Sequence, residues 1–386
     1  MLSLNSIFLS QKLSVLFLCG WYPSKVSPYN GDFIQRHAEA VSLEHNVSVI
    51  HIITDKSLRT KIKYTSQKIN NINSYIGYIK PTRNPVFKAY LFFKAFKFLI
   101  KKVGKFDIVH LNEIFPFGIF SLYLKWLYKK RYIISEHWTG YHLPQNKNIS
   151  NVEKILSKII IKNASYICPV TNDLKNSLID MGFKGKYHVV ENVVDTKSFA
   201  PIKSNNQNFY ILHISNMLDQ HKNISGILNV VYKLQNSITN FKFTLIGENS
   251  KKYKPYAIKI GIDLNLIDFI DQIPHEDVIN YIQRANLFVL FSNYENLPCV
   301  ILESFSCGTP VISTDVGGIK EHFPDNFGKL INVRNENELT SEIKNVYLNN
   351  YKLASKTEMH KYVDDNFSKK VICEKFSNLY YNSLTF

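Results

Sequence analysis

The chain has 386 residues, 45% hydrophobic and 20% charged, with a formal charge of +16. This length and composition predict two globular domains, each able to bury its own core, and exclude a disordered chain. The basic excess favours anionic partners (nucleic acid, phosphorylated small molecules or acidic lipid headgroups) without choosing among them.

The opening stretch MLSLNSIFLSQKLSVLFLCGW is apolar but broken by Gln11 and Lys12. It lacks a small-residue cleavage site and does not read as a signal peptide. Residues 13–19 predict a buried first strand. Further strands are expected at 46–53, 107–111, 131–135, 166–170 and 187–190, separated by helical patterns such as 32–44 and 117–130. That alternation reads as βαβ units around a mainly parallel sheet. No stretch reaches the roughly 20 apolar residues of a membrane span, so a cytoplasmic location is expected. Cys19, Cys168, Cys299, Cys307 and Cys373 are odd in number and form no CxxC pair. They read as buried reduced thiols without a redox or metal role.

Within the first half, NPVFKAYLFFKAFKFLIKKVGKF spans 84–106. On a helical wheel Phe92, Phe93, Phe96, Leu99, Ile100 and Val103 form an apolar arc, while Lys94, Lys97, Lys101 and Lys105 cluster opposite, with Tyr90, Leu91 and Phe98 among them. Basic residues interleaved with exposed aromatics suit an anionic bilayer surface. A core helix with a solvated lysine face fits the same pattern.

The polar stretch DTKSFAPIKSNNQN at 195–208 carries Pro201 and reads as a linker. A second array follows, with strands expected at 209–215, 241–247, 267–270, 286–292 and 309–314. The domains expected are therefore 1–195 and 196–368, with 369–386 as a terminal helix packing back on the first. Two such α/β halves imply parallel sheets facing across a cleft, with ligands beyond the carboxyl ends of the strands.

The densest motif is NYENLPCVILESFSCGTPVISTDVGG, from Asn293 to Gly318. Pro298 suits a helix start, Gly308 a helix C-terminus, and DVGG a flexible turn after the next strand. Glu295 then lies in the loop before a helix, where N–H groups over 296–299 and the helix dipole make an anion site. Glu303 sits inside the apolar run VILESF. A carboxylate there is costly unless it is hydrogen-bonded, for example by two neighbouring ribose hydroxyls. A lone glutamate would read as the wet side of an amphipathic helix.

The whole stretch resembles the E-x7-E signature of retaining glycosyltransferases with the GT-B fold, in the large glycosyltransferase family 4 (glycosyl transferases group 1). The likeness runs through CGTPVISTDVGGIKE with Gly308, Pro310, Gly317, Gly318 and Glu321, and it covers the second half best. The resemblance implies two Rossmann-like domains. It implies that Glu303 binds the nucleotide ribose and that Glu295 lies near the donor sugar, with the backbone of Asn296 and Leu297 beside sugar and phosphate. In the family an Arg followed five positions later by a Lys clamps the diphosphate; here Lys222 matches, with His221 beside it, and Met217 stands at the Arg position. In the first half, GWYPSKVSPYNGDFIQRHAEAV resembles the loop after the family's first strand, so Gly31 would let the backbone approach donor phosphate or acceptor. SEHWTG makes His137 the candidate for contacting donor sugar or acceptor, with His110 a weaker one. VVENVVDTKSF resembles the segment before the family's linker and places Asn192 and Asp195 at the hinge or site wall.

The activity implied is sugar transfer from a nucleotide diphosphate sugar to a glycan or lipid-linked acceptor with retention, in surface polysaccharide or glycoconjugate biosynthesis. Lys222 and the helix start would stabilise the leaving diphosphate. No DxD-like pair and no His/Cys ligand set is apparent, so neither a metal nor another cofactor is expected. The enzyme would sit in the cytoplasm or at the inner face of the cell membrane. Three other readings compete: a sugar-nucleotide epimerase of the same fold, a non-catalytic subunit favoured by Met217, and a nucleic-acid-binding protein. Only charge suggests the last, and no nucleic-acid partner is expected.

Overall fold

The computed structural model of the chain describes residues 12–203 and 208–385. The reading of the first eleven residues as no leader, and positions 204–207 of the linker, lie outside them. The chain divides into two compact units, Met1–Val193 with Lys369–Phe386 and Val194–Ser368.

Unit 1 runs β1 (Ser14–Cys19), α1 (Asp32–Val41), β2 (Asn46–Thr54), β3 (Ile62–Ile69), β4 (Ile72–Ile79), α2 (Pro85–Val103), β5 (Ile108–Asn112), α3 (Gly118–Tyr128), β6 (Tyr132–Glu136), α4 (Asn151–Asn163), β7 (Ile167–Pro169) and α5 (Asn172–Asp180). The seven strands lie in the order β3-β4-β2-β1-β5-β6-β7. Only the β3–β4 pair is antiparallel. β1 is buried along almost its whole length, as a central parallel strand covered by helices on both faces must be. The strand order reverses between β1 and β5, which makes their carboxyl ends the topological switch point of this sheet.

The β3–β4 hairpin is absent from the expected strand list, and its physical reason is plain. β3 reads IKYTSQKI and is exposed over most of its length at the sheet edge, so it lacks the apolar run that betrays a buried strand. Its turn is Asn70-Asn71, both with positive φ (49° and 64°), a two-residue hairpin signature. Conversely, the strand expected at 187–190 is a single bridge between Ile167 and Tyr187.

Unit 2 runs β8 (Phe209–Ser215), α6 (Asp219–Lys222), α7 (Ile224–Leu234), β9 (Phe241–Gly247), α8 (Lys254–Ile260), β10 (Ile267–Ile270), α9 (His275–Arg284), β11 (Leu287–Leu290), α10 (Cys299–Ser306), β12 (Val311–Thr314), β13 (Gly328–Ile331), α11 (Glu336–Tyr347) and α12 (Lys356–Phe367). Its six strands, β10-β9-β8-β11-β12-β13, are all parallel. The order reverses between β8 and β11, so the loops that follow those two strands leave the sheet side by side. β13 is the third strand the sequence patterns do not reveal; it has four residues and opens on glycine.

The last helix, α13 (Lys369–Thr385), belongs to unit 1. It inserts Tyr380 against His110, with Tyr380 OH 2.6 Å from His110 Nδ1, and Ser377 against His45, with Ser377 Oγ 2.8 Å from His45 Nε2.

Candidate active site

In unit 2 the two loops at the switch point are fastened together by their backbones. Asn293 N donates to His221 O at 2.7 Å, and Asn293 Nδ2 donates to Gln220 O at 3.0 Å. This brings Lys222, at the end of α6, to Glu295, with which it forms an ion pair. Ser292 Oγ donates to the same carboxylate oxygen at 2.7 Å. Glu295 is 8% exposed, so its charge is stabilised by these two partners rather than by water. The DVGG turn closes over the loop: Gly317 has φ 58°, a Cβ there would overlap Glu295 O, and Gly318 N donates to Asn296 O at 3.2 Å. Asn296 and Leu297 are buried beneath it.

α10 begins at Cys299 with Pro298 as its N-cap. Pro298 carries no N–H, so the first helical N–H groups are those of Cys299 and Val300, a narrower set than 296–299. One turn on, Glu303 is 3% exposed and accepts from His275 Nε2 at 2.9 Å. His275 opens α9 and is half-exposed, with its ring against Phe199 at 5.1 Å. Glu303 is thus a buried carboxylate held by an imidazole at the rim. Sequence spacing does not reveal this partner, because 28 residues separate the two positions.

Met217 is fully buried with φ 54°, part of the unit 2 core, and its carbonyl accepts from Tyr253 OH at 2.8 Å. The position where the resemblance expects a guanidinium is therefore filled by a core side chain; Lys222 is the cation paired with Glu295, and Arg334 Nε donates to Asn293 Oδ1 at 3.1 Å. His221 stands beside it with its ring edge-on to Tyr294 at 5.8 Å.

In unit 1, β6 ends at Glu136, whose carboxylate accepts from the backbone N–H groups of Ile114 at 2.9 Å, His137 at 2.8 Å and Trp138 at 2.9 Å. Those bonds fix the loop that carries His137. The His137 ring packs on Phe33 at 4.7 Å and His37 at 5.3 Å, with the Asn192 side chain beside it. Burial, then the charge His37 would carry, hold His137 well below the usual histidine range, so it is a neutral hydrogen-bonding group at pH 7. His37 is pushed down to about 4, mainly by burial, and its Nε2 meets Glu191 O at 3.0 Å. Asn192 is nearly buried beside them. Asp195 belongs to unit 2. Gly31, φ 77°, caps α1, and a Cβ there would stand 2.5 Å from the Trp21 carbonyl carbon. The close approach this glycine permits is thus to the backbone of Trp21 and Tyr22. His110 is a core histidine: Tyr380 occupies Nδ1, and Ser135 Oγ lies 2.7 Å from Nε2.

Comparison with known proteins sets this geometry in a family. Residues 35–198 match the model of Glycosyltransferase Family 4, and residues 194–364 match that of Glycosyl transferases group 1. The chain belongs to glycosyltransferase family 4. It is 26% identical over 361 residues, 92% of this chain, to an uncharacterised glycosyltransferase of Methanocaldococcus jannaschii, covering 94% of that protein. It is also 26% identical over 281 residues, 69% of this chain and 74% of the relative, to a Campylobacter jejuni enzyme. That relative is named N-acetylgalactosamine-N,N'-diacetylbacillosaminyl-diphospho-undecaprenol 4-alpha-N-acetylgalactosaminyltransferase. Among solved structures, sucrose-phosphate synthase from Thermosynechococcus elongatus superposes with a TM-score of 0.78 over 96% of this chain and 99% of that one, at 17% identity. Anabaena HepE in complex with UDP gives 0.73 over 95% and 99%, at 14% identity. The fold of this family 4 glycosyltransferase is accordingly GT-B, two Rossmann-like units each built on a mainly parallel sheet.

Among the described residues of the glycosyltransferase, no three His, Cys, Asp or Glu side chains gather as a metal-holding group. No helix there is long and apolar enough to cross a membrane. The 84–106 stretch forms α2, and its rotation differs from the helical-wheel expectation. Leu91, expected among the surface lysines, is 2% exposed, and the buried face is Leu91, Ala95, Phe96 and Leu99. Gly77 on β4 explains this: it leaves a notch in which Leu99 and Ala95 sit, and a Cβ there would stand 3.3 Å from Leu99 Cδ1. Tyr90, Phe93 and Phe98 are exposed with Lys94, Lys97 and Lys101. Phe98 stacks on Tyr64 at 4.1 Å. Phe93 touches Tyr123 of α3, which is followed by the exposed Trp126, Leu127 and Tyr128.

Proposed function

We propose that this glycosyltransferase transfers a sugar from a nucleoside diphosphate sugar to a glycan or lipid-linked acceptor, with retention, in the biosynthesis of a surface polysaccharide or glycoconjugate. The observation that carries this reading is the pair of buried carboxylates before and within α10, Glu295 held by Lys222 and Ser292, and Glu303 held by His275. Their partners are a cation and an imidazole at the mouth of the sheet's switch point, where a nucleotide diphosphate can take them over.

In this reading Glu303 receives the ribose hydroxyls and Glu295 faces the donor sugar, with the backbone of Asn296 and Leu297 beside it. As the anomeric bond breaks, negative charge grows on the leaving diphosphate. Lys222 turns towards that charge, together with the N–H groups at the start of α10. Preorganised donors of this kind stabilise developing charge most where water is excluded. His137 and Asn192, neutral and side by side, contact donor sugar or acceptor, and Gly31 shapes the adjoining loop. Transfer needs no cofactor in this scheme. The names of relatives support the acceptor class, since the Campylobacter enzyme's name specifies a diphospho-undecaprenol substrate. That of an Escherichia coli relative, 26% identical over 158 residues, is a lipopolysaccharide 1,6-galactosyltransferase.

A lipid-linked acceptor calls for a membrane-facing surface. The exposed part of α2, Tyr90, Phe93, Lys94, Lys97, Phe98 and Lys101, continues into Trp126 and Tyr128 of α3. Aromatic rings at headgroup depth with lysines beside them suit an anionic bilayer interface. The protein would then work at the inner face of the membrane.

The test is a panel of nucleotide sugars scored by protection against thermal unfolding, followed by transfer assays with the donor that protects most. Protection by at least one nucleoside diphosphate sugar, lost in Glu303→Ala, is expected. Protection that survives Glu303→Ala removes the ribose assignment, and donor turnover to a free epimerised sugar without acceptor would establish the epimerase reading instead.

A further inference from the structure

The carboxyl edge of the unit 1 sheet holds a second carboxyl, which neither the sequence motifs nor the donor site uses. Parallel pairing aligns His51 of β2 with Cys19 of β1, and Cys19 with Asn112 of β5, so the three form one row across the switch point. Immediately beyond the row come Gly20 and Glu113. Gly20 N donates to Asn112 O at 3.2 Å, and Glu113 N donates to Ser135 O at 3.1 Å.

Glu113 is unusual in three respects. Its φ is 83°, a left-handed backbone that non-glycine residues seldom adopt. Its side chain lies across Gly20 so closely that a Cβ on Gly20 would overlap Glu113 Oε2. Half-buried as it is, its carboxyl takes no protein hydrogen bond among the described residues, whereas the neighbouring Glu136 accepts three. Burial first, then the charges of Glu136 and Glu153, push its pKa up to about 9, so at pH 7 it is a neutral acid that can both donate and accept.

Two further polar atoms in the row are buried and unpartnered: Asn112 Oδ1 and His51 Nε2. Their side chains are anchored from the other end, Asn112 Nδ2 to His110 O at 3.2 Å and His51 Nδ1 to Cys19 O at 2.9 Å. Buried polar atoms are ordinarily satisfied, and orphans at a strand-end switch point mark a place where a ligand completes them.

We propose that Glu113 is the acceptor-anchoring residue of this glycosyltransferase, its carboxyl exchanging hydrogen bonds with hydroxyls of a saccharide at the carboxyl ends of β1 and β5. This rests on the reading of the acceptor as a glycan. A saccharide hydroxyl both donates and accepts, as a neutral carboxyl does, so each partner satisfies the other without a buried charge. The left-handed backbone is what directs the side chain over Gly20 instead of into the core.

The experiment uses the full chain and two soluble probes. UDP reports the donor half, and octyl β-glucoside, octyl β-galactoside and octyl β-N-acetylglucosaminide below their micelle concentrations report the acceptor half. At least one glycoside is expected to bind the wild type by saturation-transfer NMR, and Glu113→Gln to weaken it at least tenfold while leaving UDP affinity unchanged. Glu113→Gly relieves the positive φ and should lose glycoside binding equally, yet raise the thermal midpoint by about 2–4 °C. A purely structural Glu113 would give the reverse, a lower midpoint. Unchanged glycoside affinity in Glu113→Gln, a destabilised Glu113→Gly, or no glycoside binding to the wild type overturns the proposal. Loss of UDP binding by the wild type would instead overturn the donor reading.

Discussion

The two parallel sheets solve the same problem, a polar site at their strand ends, with opposite electrostatics. In unit 2 the carboxylates are paired with basic side chains, Glu295 with Lys222 and Glu303 with His275. In unit 1 several ionisable groups are driven neutral, while Asp55, just after β2, keeps its charge against Lys25. His37 and His51 are pushed down to about 4, His110 and His137 well below the usual range, and Glu113 up to about 9, each by burial first. A leaving diphosphate demands charge, which unit 2 supplies. A sugar hydroxyl demands donors and acceptors of no net charge, and unit 1 supplies those. Under the proposed function, that difference matches a charged donor and an uncharged acceptor.

The contrast is broken most severely at Lys222. Lys222→Ala should lower turnover by about 10²–10³-fold, the size of loss seen when one preorganised donor to developing charge is removed. It also leaves Glu295 buried without its cation, so unit 2 should lose stability by up to about 3 kcal/mol. Urea unfolding of the single and Lys222→Ala/Glu295→Ala double variants separates the two effects. The double variant should recover stability and not turnover. Equal activity of Lys222→Ala and wild type would show that the diphosphate is held elsewhere.

The neutrality of unit 1 makes a prediction in pH. His37 and His51 bind protons more weakly folded, about 4 against 6.5, so the unfolded chain carries the extra protons in that window. Stability should fall as pH drops from 6.5 to 4, by roughly 3 kcal/mol for each histidine when complete. Glu113 has the opposite sign, since it binds its proton more tightly folded. Its contribution is present below pH 4.5 and lost as pH rises through about 9. Urea midpoints measured from pH 4 to 9 should therefore fall on both sides of neutrality. Glu113→Gln should flatten the alkaline limb and steepen the acid limb above pH 4.5, and an alkaline limb that survives it would show the raised pKa to be wrong.

Glu303→Ala should weaken nucleotide sugar binding by roughly 1.5–3 kcal/mol, the loss of a charged acceptor for ribose hydroxyls. His275→Ala should cost less, because its removal frees a carboxylate oxygen for the ribose while loosening the side chain. Calorimetry with the protecting donor checks both, and unchanged affinity in Glu303→Ala would place the ribose elsewhere.

The smallest effect per residue belongs to the surface of α2. Each lysine beside an anionic bilayer contributes about 1 kcal/mol and is screened by salt. Lys94, Lys97 and Lys101 changed together to glutamate should abolish co-sedimentation with anionic liposomes at low salt without unfolding the chain. Trp126→Ser in the otherwise unchanged chain should weaken it in a way salt does not mimic. Binding indifferent to salt and to these changes would assign the membrane contact to another face.

What the sequence alone determined is what local chemistry dictates. Buried parallel strands announce themselves as apolar runs, so ten of the thirteen strands among the described residues, including β1, β2, β8 and β9, were legible. The loop–proline–helix–glycine grammar of 293–308 placed Glu295 before a helix and Glu303 within it. Tertiary structure decided the rest, because those facts depend on residues far apart in the chain. The exposed edge strand β3 has no apolar run, and only its pairing with β4 makes it a strand. α2 is apolar around much of its circumference, so its rotation is set by the notch at Gly77, which buries Leu91. His275 becomes the partner of Glu303 only when α9 and α10 are brought together. Glu113 reads in the sequence as an ordinary loop glutamate. It becomes a neutral acid over Gly20 only because the strand order β2-β1-β5 buries it at a switch point, and burial is a property of the fold that no local pattern encodes.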